Sequence, residues 1–252
     1  MRKVDNRKIY VPTVVFIIIL GIWEMAVRIS GIPLYILPAP SKIFYALIAE
    51  RNMLFMHGMI TLKETAIGLV IAVIAGIILA IVMDKFELFR TATYPIMVVS
   101  QTVPVIVLAP IFIIYLGFGM APKILIVVLM CFFPIVINFA DGMKQVDINQ
   151  INLARLFGAG SLRTYSMVKI PAAAPSLFSG LKVAATYSIT GAVVGEWLSS
   201  DSGLGYYMLR LKNGYMLDKV FACVVVIVLL SLFMNGCVKL LQYILMPNLR
   251  KN

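Results

Sequence analysis

The sequence predicts an all-α, polytopic membrane protein with six transmembrane helices, and three observations lead there. Hydrophobic residues make up 62% of the 252-residue chain and charged residues only 13%, far from the balance of a water-soluble domain. Mean hydropathy is +0.98, an excess that one core of this size cannot hide behind a polar shell. The apolar residues also fall into six separate runs of about 20 residues, the length at which a helix crosses the hydrocarbon core with every backbone polar group paired.

The runs extend approximately from Ile9 to Val27, Glu64 to Met83, Tyr94 to Gly117, Ala121 to Ala140, Leu177 to Ser199 and Phe221 to Leu245. The first exceeds a secretory h-region, and Gly31 to Pro40 carries no small-x-small cleavage pattern, so it reads as a membrane span rather than a cleaved leader. The next segment is too polar and interrupted to cross again. Pro33, Pro38 and Pro40 precede Ser41, a suitable N-cap, and Ile43, Phe44, Leu47 and Ile48 then recur at helical spacing. That pattern fits an amphipathic helix in the headgroup region with Lys42, Glu50 and Arg51 wet, or else a packed connector.

The second run places Gly68, Ala72, Gly76 and Ala80 at intervals of four, and the fifth repeats the device with Gly180, Ala184, Ser188 and Ala192, flanked by Gly191 and Gly195. Small residues let backbones approach where lipid supplies no hydrophobic force, so both spans are expected near the centre of the bundle. The third run contains Pro95, Pro104 and Pro110, which predict a bend or break near Gln101 and Thr102. Glu24 and Glu196 are carboxylates in apolar surroundings near outer ends. Glu24 can pair with Arg28 one turn on and Glu196 adjoins Trp197, and each reads either as an anchor or as part of a solute path.

Lys and Arg number 22 against 11 Asp and Glu, a net charge of +11. In a membrane chain this excess bears on orientation rather than on nucleic acid, which is not expected as a partner. With both termini inside, fourteen basic residues fall on the inner side and eight on the outer, the latter being Arg28, Lys42, Arg51, Lys63, Lys123, Arg210, Lys212 and Lys219. Cys131, Cys223 and Cys237 lie in apolar runs, and the single histidine, His57, sits in an outer segment and reads as wet or interfacial. No disulfide framework, metal site or cofactor is expected from such a set, and no constellation suits a membrane enzyme.

The loop from Asp141 to Pro175 holds most of the functional pattern. Asp147 can cap a first short helix, with Gln150 three residues on; Ile148, Ile151, Leu153, Ala154, Leu156 and Phe157 supply apolar contacts and Gly158 ends it. Ser161 can cap a second, which runs through Tyr165 and Met167 toward Lys169 and stops at Pro171. A protruding pair with exposed Leu156, Phe157 and Tyr165 calls for a cytoplasmic partner's groove to cover it.

In this loop the chain resembles the permease subunits of bacterial ABC importers, whose signature is Glu-Ala-Ala, three residues, Gly, nine residues, Ile-x-Leu-Pro. Asn152-Leu153-Ala154, Gly158-Ala159 and Val168-Lys169-Ile170-Pro171 keep that frame, with Asn152 standing where the family has glutamate. The resemblance covers nearly the whole chain and is closest to the nitrate, sulfonate, taurine and pyrimidine-precursor branch. Its marks are Leu37-Pro38-Ala39-Pro40, Val103-Pro104, Leu108-Ala109-Pro110, Gly191 to Trp197 and Ser202 to Tyr206. Within the branch, Ser100 to Pro104 and Ala184 to Ser188 look most like permeases for hydroxymethylpyrimidine-type thiamine precursors.

The resemblance implies a type I ABC importer permease in the bacterial inner membrane, with both termini cytoplasmic. Residues 1–60 would form a first span and outer helix, and residues 61–252 a permease core that includes the coupling loop 141–175. Implied partners are ABC ATPase subunits, an extracytoplasmic substrate-binding protein and a second permease protomer, read as a homodimer. No Gly-x4-Gly-Lys-Ser/Thr phosphate loop occurs, so ATP hydrolysis would fall to the separate subunit. Asn152, Leu153, Ala154, Leu156, Phe157, Gly158, Ala159, Val168, Ile170 and Pro171 are the expected ATPase-coupling residues. Gln101, Thr102, Thr186, Tyr187 and Ser188 are the expected solute-path residues, near the proline break and mid-span five, unless their polar groups simply bond neighbouring helices. An ion-coupled secondary transporter is the rival reading, although such carriers usually place paired charges at mid-membrane, and here the patterned segment lies in a loop.

Overall fold

The computed structural model describes residues 7–246, which form helices and turns with no strand among them. The basic residues Arg2, Lys3, Arg250 and Lys251, counted above for orientation, lie outside the described residues.

Helix α1 (Arg7–Ser30) is peripheral and meets the body only near its C-terminal end. There Trp23 lies 5.8 Å from the Phe221 ring and Val27 is buried. The expected ion pair forms, Arg28 Nε donating to Glu24 at 2.6 Å. The same carboxylate accepts from the Ser41 backbone N–H at 2.9 Å and from Ser41 Oγ at 2.8 Å. Glu24 is thus an anchor that caps α2 (Pro40–Ala49) from another helix. Ser41 is not the cap: Pro40, whose missing N–H suits the first helical position, starts the helix one residue earlier, with Ala39 at the N-cap. Of the expected stripe, Ile43 is buried against the body together with Ala46, whereas Phe44 and Ile48 face outward.

Helix α3 (Arg51–Lys85) is 35 residues long and runs unbroken through residue 60. Its first turns rise beyond the apolar run and pack against other chain segments, which overturns the wet reading of His57. That ring is buried, stacks on Tyr207 with centroids 4.7 Å apart, and accepts from the Gly203 N–H at 3.0 Å.

Helices α4 (Glu87–Ser100) and α5 (Val105–Leu116) meet at 101°, the break expected from the prolines. α3 ends where Asp84 binds the residues 165 and 169 segment, and α6 (Met120–Lys144) begins where Lys123 binds Glu64 and Ser200, at the other end of the bundle. The α4–α5 pair therefore carries the chain from one end to the other, as a broken span rather than a re-entrant loop. At the α6 C-terminus Asp141 accepts from Arg90 Nη2 at 2.9 Å and Tyr94 Oη at 3.0 Å, tying α4 to α6.

The chain then forms α7 (Ile148–Leu156), α8 (Ser161–Thr164), a π turn (Tyr165–Lys169), α9 (Ile170–Ser199), α10 (Leu204–Asn213) and α11 (Leu217–Leu245). Both small-residue stripes are buried, and both face α6 at the centre of the bundle. A Cβ added to Gly68 would lie 2.6 Å from Val127, and one on Gly76 2.8 Å from Ile135. On α9, Gly180 sits against the Pro134 carbonyl and Gly195 against Lys123. The resulting core joins Ala72, Val127, Cys131, Ile135, Ala184 and Ile189.

The end of the bundle away from the α7–α8 hairpin is closed by a buried polar cluster. Thr61 Oγ donates to Glu196 at 2.6 Å, and Lys123 pairs with Glu64 and donates to Ser200 Oγ. Lys123, counted above among the outer basic residues, is thus buried, because α6 carries it between α3 and α9. Three consecutive N–H groups at the start of α10 find side-chain acceptors: Gly203 on His57 Nδ1, Leu204 on Thr61 Oγ at 2.9 Å, and Gly205 on Glu196 Oε2 at 2.6 Å. Glu196 is therefore an anchor, and Gly203 has φ +102° with no room for a Cβ, which would lie 2.2 Å from Glu196. Beside this cluster Glu50 accepts from Tyr207 Oη at 2.8 Å and pairs with Lys219. The Lys219 ammonium and then the Tyr207 hydroxyl hold the Glu50 carboxyl below its usual range, while burial and Glu50 push the Tyr207 phenol up. The Glu50 contribution is present above the ordinary carboxylate range and is lost as pH falls through the lowered value.

The packing at α6 leads to a stability test. Gly68→Ala should cost about 1–3 kcal/mol through overpacking against Val127, seen as a lower melting temperature in detergent. Gly21→Ala, with open space around it, should leave the melting temperature unchanged.

Candidate functional site

The α7–α8 hairpin begins as its sequence dictates, with the Asp147 carboxylate accepting from the Asn149 N–H at 2.8 Å. α7 ends in a Schellman arrangement. Gly158 takes φ +78°, its N–H donates to the Arg155 carbonyl at 2.9 Å, and the Ala159 N–H donates to the Ala154 carbonyl at 3.0 Å. Glycine reaches this left-handed conformation without a Cβ penalty, which lets the chain turn sharply at the end of α7.

The second arm departs from expectation at both ends. Gly160, not Ser161, occupies the N-cap position and no side-chain cap bond forms there. Nor does Pro171 end the helix: the chain stays helical from Ser161 to Ser199 through the π turn, where the Ile170 N–H donates to the Tyr165 carbonyl. The wider turn opens the backbone just where the proline ring would otherwise meet the carbonyl of Met167. The hairpin arm and the fifth span are consequently one continuous rod.

Its base is fixed to the bundle. Asp84, at the end of α3, accepts from Tyr165 Oη and Lys169 Nζ, both at 2.6 Å. Phe139, Ala140, Met143 and Ala173 form a small core beneath, partly covered by Ile170, and Gly142 of α6 lies directly against Ser176. The tip is bare: Leu156 is 84% exposed and Phe157 83%. Between the arms lies a cavity of about 410 Å³ lined by Leu153, Ala154, Phe157, Val168, Pro171 and neighbours. Ala159 lines an adjoining cavity with Arg163, and Asn152 is exposed on α7.

A second cavity, of about 400 Å³, opens at the α4–α5 break. Ser100, Gln101, Met130, Phe133, Pro134 and Tyr187 line it together with aliphatic side chains, and no charged residue does so. Of the five expected solute-path residues the structure brings Gln101 and Tyr187 together here. The others lie elsewhere: Thr102 donates to the Val99 carbonyl at 2.7 Å, and Thr186 donates to the Lys182 carbonyl while accepting from Asn235 of α11. Ser188 is fully buried and donates to the Ala185 carbonyl at 2.9 Å. Sequence reasoning missed Asp84, Met130 and Phe133. Asp84 lies 81 and 85 residues from its two partners, and its only local signal is an acid at the end of an apolar run.

Comparison with known proteins places this geometry. The family model described as binding-protein-dependent transport system inner membrane component matches residues 72–251. The chain is 36% identical over 237 residues to the formylaminopyrimidine transport permease protein ThiX of Halalkalibacterium halodurans, covering 94% of each chain. It is 29% identical over 254 residues to the putative aliphatic sulfonates transport permease protein SsuC of Bacillus subtilis, covering 96% of this chain and 90% of that one. Among solved structures, an amino acid ABC transporter with histidines superposes with TM-score 0.62 at 15% identity, over 81% of this chain and 98% of that chain, a likeness of fold.

The Asp84 anchor can be tested without partners. Asp84→Ala removes two charge-assisted hydrogen bonds, each worth about 1.5–3 kcal/mol. Tryptic cleavage at Arg155 and Arg163 in the folded, detergent-solubilised chain should then rise by about tenfold or more.

Proposed function

The chain belongs to the family of binding-protein-dependent transport system inner membrane components, and from that premise we propose that it forms the membrane pathway for a pyrimidine-type thiamine precursor. It is a transport subunit and not an enzyme. In this reading an extracytoplasmic binding protein delivers the solute, and separate ABC ATPase subunits seat the hairpin tip on the cytoplasmic side. Both termini lie on that side too, as the distribution of basic residues supports.

The observation that carries the solute assignment is the uncharged lining of the Gln101–Tyr187 cavity. A sulfonate or nitrate ion crossing there would leave its hydration shell with no cation to meet it, at a cost of several kcal/mol. A neutral planar heterocycle fits better, because Phe133 and Tyr187 offer aromatic faces and Gln101 offers both a donor and an acceptor. The 36% identity to a formylaminopyrimidine permease points the same way.

Coupling follows from the continuous rod. The apolar tip carried by Leu153, Leu156 and Phe157 docks on an ATPase, and Gly158 sets its angle to the arm that becomes the fifth span. ATP-driven closure of two ATPases, one under each protomer of a homodimer, would move both rods, provided the ATPases bind the hairpins better in one state than in the other. The cavity would then lie near the two-fold axis, with matching residues from both chains around the solute.

Two measurements test the proposal. Leu156→Glu combined with Phe157→Glu should abolish co-purification with the ATPase subunit without lowering the melting temperature, and retention of the ATPase would refute the docking. Tyr187→Ala should lower uptake of labelled formylaminopyrimidine about tenfold, matching an aromatic contact of about 1–1.5 kcal/mol. Excess alkanesulfonate should not compete with that uptake; competition would overturn the solute assignment.

A further inference from the structure

A third cavity, of about 490 Å³, lies between the end of α1, the following loop and the start of α2, away from both sites described above. It is lined by Val27, Ile32, Leu34 and Leu37 together with Arg28, Ser41 and Lys42. α1 leaves most of its surface uncovered by protein, and Leu34, Tyr35 and Ile36 beside the cavity are 45%, 56% and 58% exposed. Apolar side chains uncovered at the end of a spanning helix lie at the depth where headgroups meet acyl chains.

The charges lining the cavity do not cancel. Glu24 neutralises one cation, and it is already committed to Arg28 Nε and to the Ser41 N–H and hydroxyl. The Arg28 ion pair uses Nε, which leaves the two terminal guanidinium nitrogens for a ligand. Lys42 takes part in none of the ion pairs among the described residues. One positive charge is left over, at a cavity lined by both apolar and polar side chains.

We propose that this cavity binds a single anionic phospholipid, whose phosphodiester sits between Arg28 and Lys42 while its acyl chains cover Leu34 to Ile36. A guanidinium and an ammonium converging on one phosphate satisfy its oxygens, and a monoanion brings the local charge to zero. The bound lipid would join α1 to α2 beside the Glu24 cap and so hold the peripheral helix to the body. The site does not depend on which solute the chain carries.

The test uses the full chain carrying Trp197→Phe, which leaves Trp23, one turn before Val27, as the sole tryptophan. It is reconstituted in vesicles containing phosphatidylglycerol or phosphatidylcholine brominated on the acyl chains. Brominated phosphatidylglycerol should quench Trp23 with about fivefold higher apparent affinity than the phosphatidylcholine, as one unmatched cation predicts. Lys42→Gln, which breaks no bond in the protein, and Arg28→Gln with Lys42→Gln should each abolish the preference. Arg51→Gln with Lys63→Gln removes two exposed charges outside the cavity and should keep it. Equal quenching by the two lipids, equal loss in the Arg51 and Lys63 variant, or displacement of the lipid by millimolar inorganic phosphate would overturn the proposal. The last outcome would mark a free-anion site and the second a diffuse surface field.

Discussion

Inside a bilayer no water is available to pair a stray N–H or to solvate a charge, so each polar group that the chain carries between its spans must find a protein partner. The start of α10 shows how strongly this shapes the molecule. Three successive backbone N–H groups, at Gly203, Leu204 and Gly205, are taken up by His57, Thr61 and Glu196 from two other helices. Close approach of that backbone to Glu196 is possible only because residues 203 and 205 lack a Cβ. The adjoining Lys123–Glu64 pair and the Glu50 contacts extend the closure to α2, α6 and α11. That end of the bundle is consequently tied together across six helices.

The hairpin end is built on the opposite principle. Its base is fastened by Asp84 and by the Phe139 core, but its tip presents Leu156 and Phe157 with nothing over them. An exposed apolar tip on a firmly rooted base is suited to receive force from outside and pass it on. The π turn before Pro171 makes the transfer direct, because it lets the arm continue into α9 instead of ending in a flexible joint. α9 in turn lies glycine-to-backbone against α6, and residues of both helices line the cavity at the α4–α5 break. In the proposed mechanism, displacing the hairpin would act on the cavity walls through close-packed backbone contacts rather than through compliant side chains.

Much of this was readable from local pattern. The six spans, the break near Gln101, the Asp147 cap, the Gly158 turn and the Glu24–Arg28 pair all follow from interactions within a few residues, which composition and spacing encode directly. The misreadings share a cause. His57 looked wet because it stands outside the apolar runs, and Lys123 looked only like an outer charge, yet their partners come from other helices. Ser161 and Pro171 looked like a start and a stop because those are their ordinary local preferences, which the neighbouring glycine and the π turn overrode. Of the five expected solute-path residues, local pattern could not say that Gln101 and Tyr187 would share a cavity while Thr102, Thr186 and Ser188 bond elsewhere.

The sequence by itself determined that the chain must live in lipid, how many times it crosses, where it breaks and where its glycine-turned hairpin stands, because helix periodicity, proline and glycine act over one or two turns. Tertiary structure alone decided which charges are buried and by what they are matched, and which side chains share a cavity. Those outcomes depend on residues separated by 59 positions for Glu64 and Lys123 and by 135 for Thr61 and Glu196. No local pattern specifies such pairs; they form when the small-residue faces of α3 and α9 close on α6.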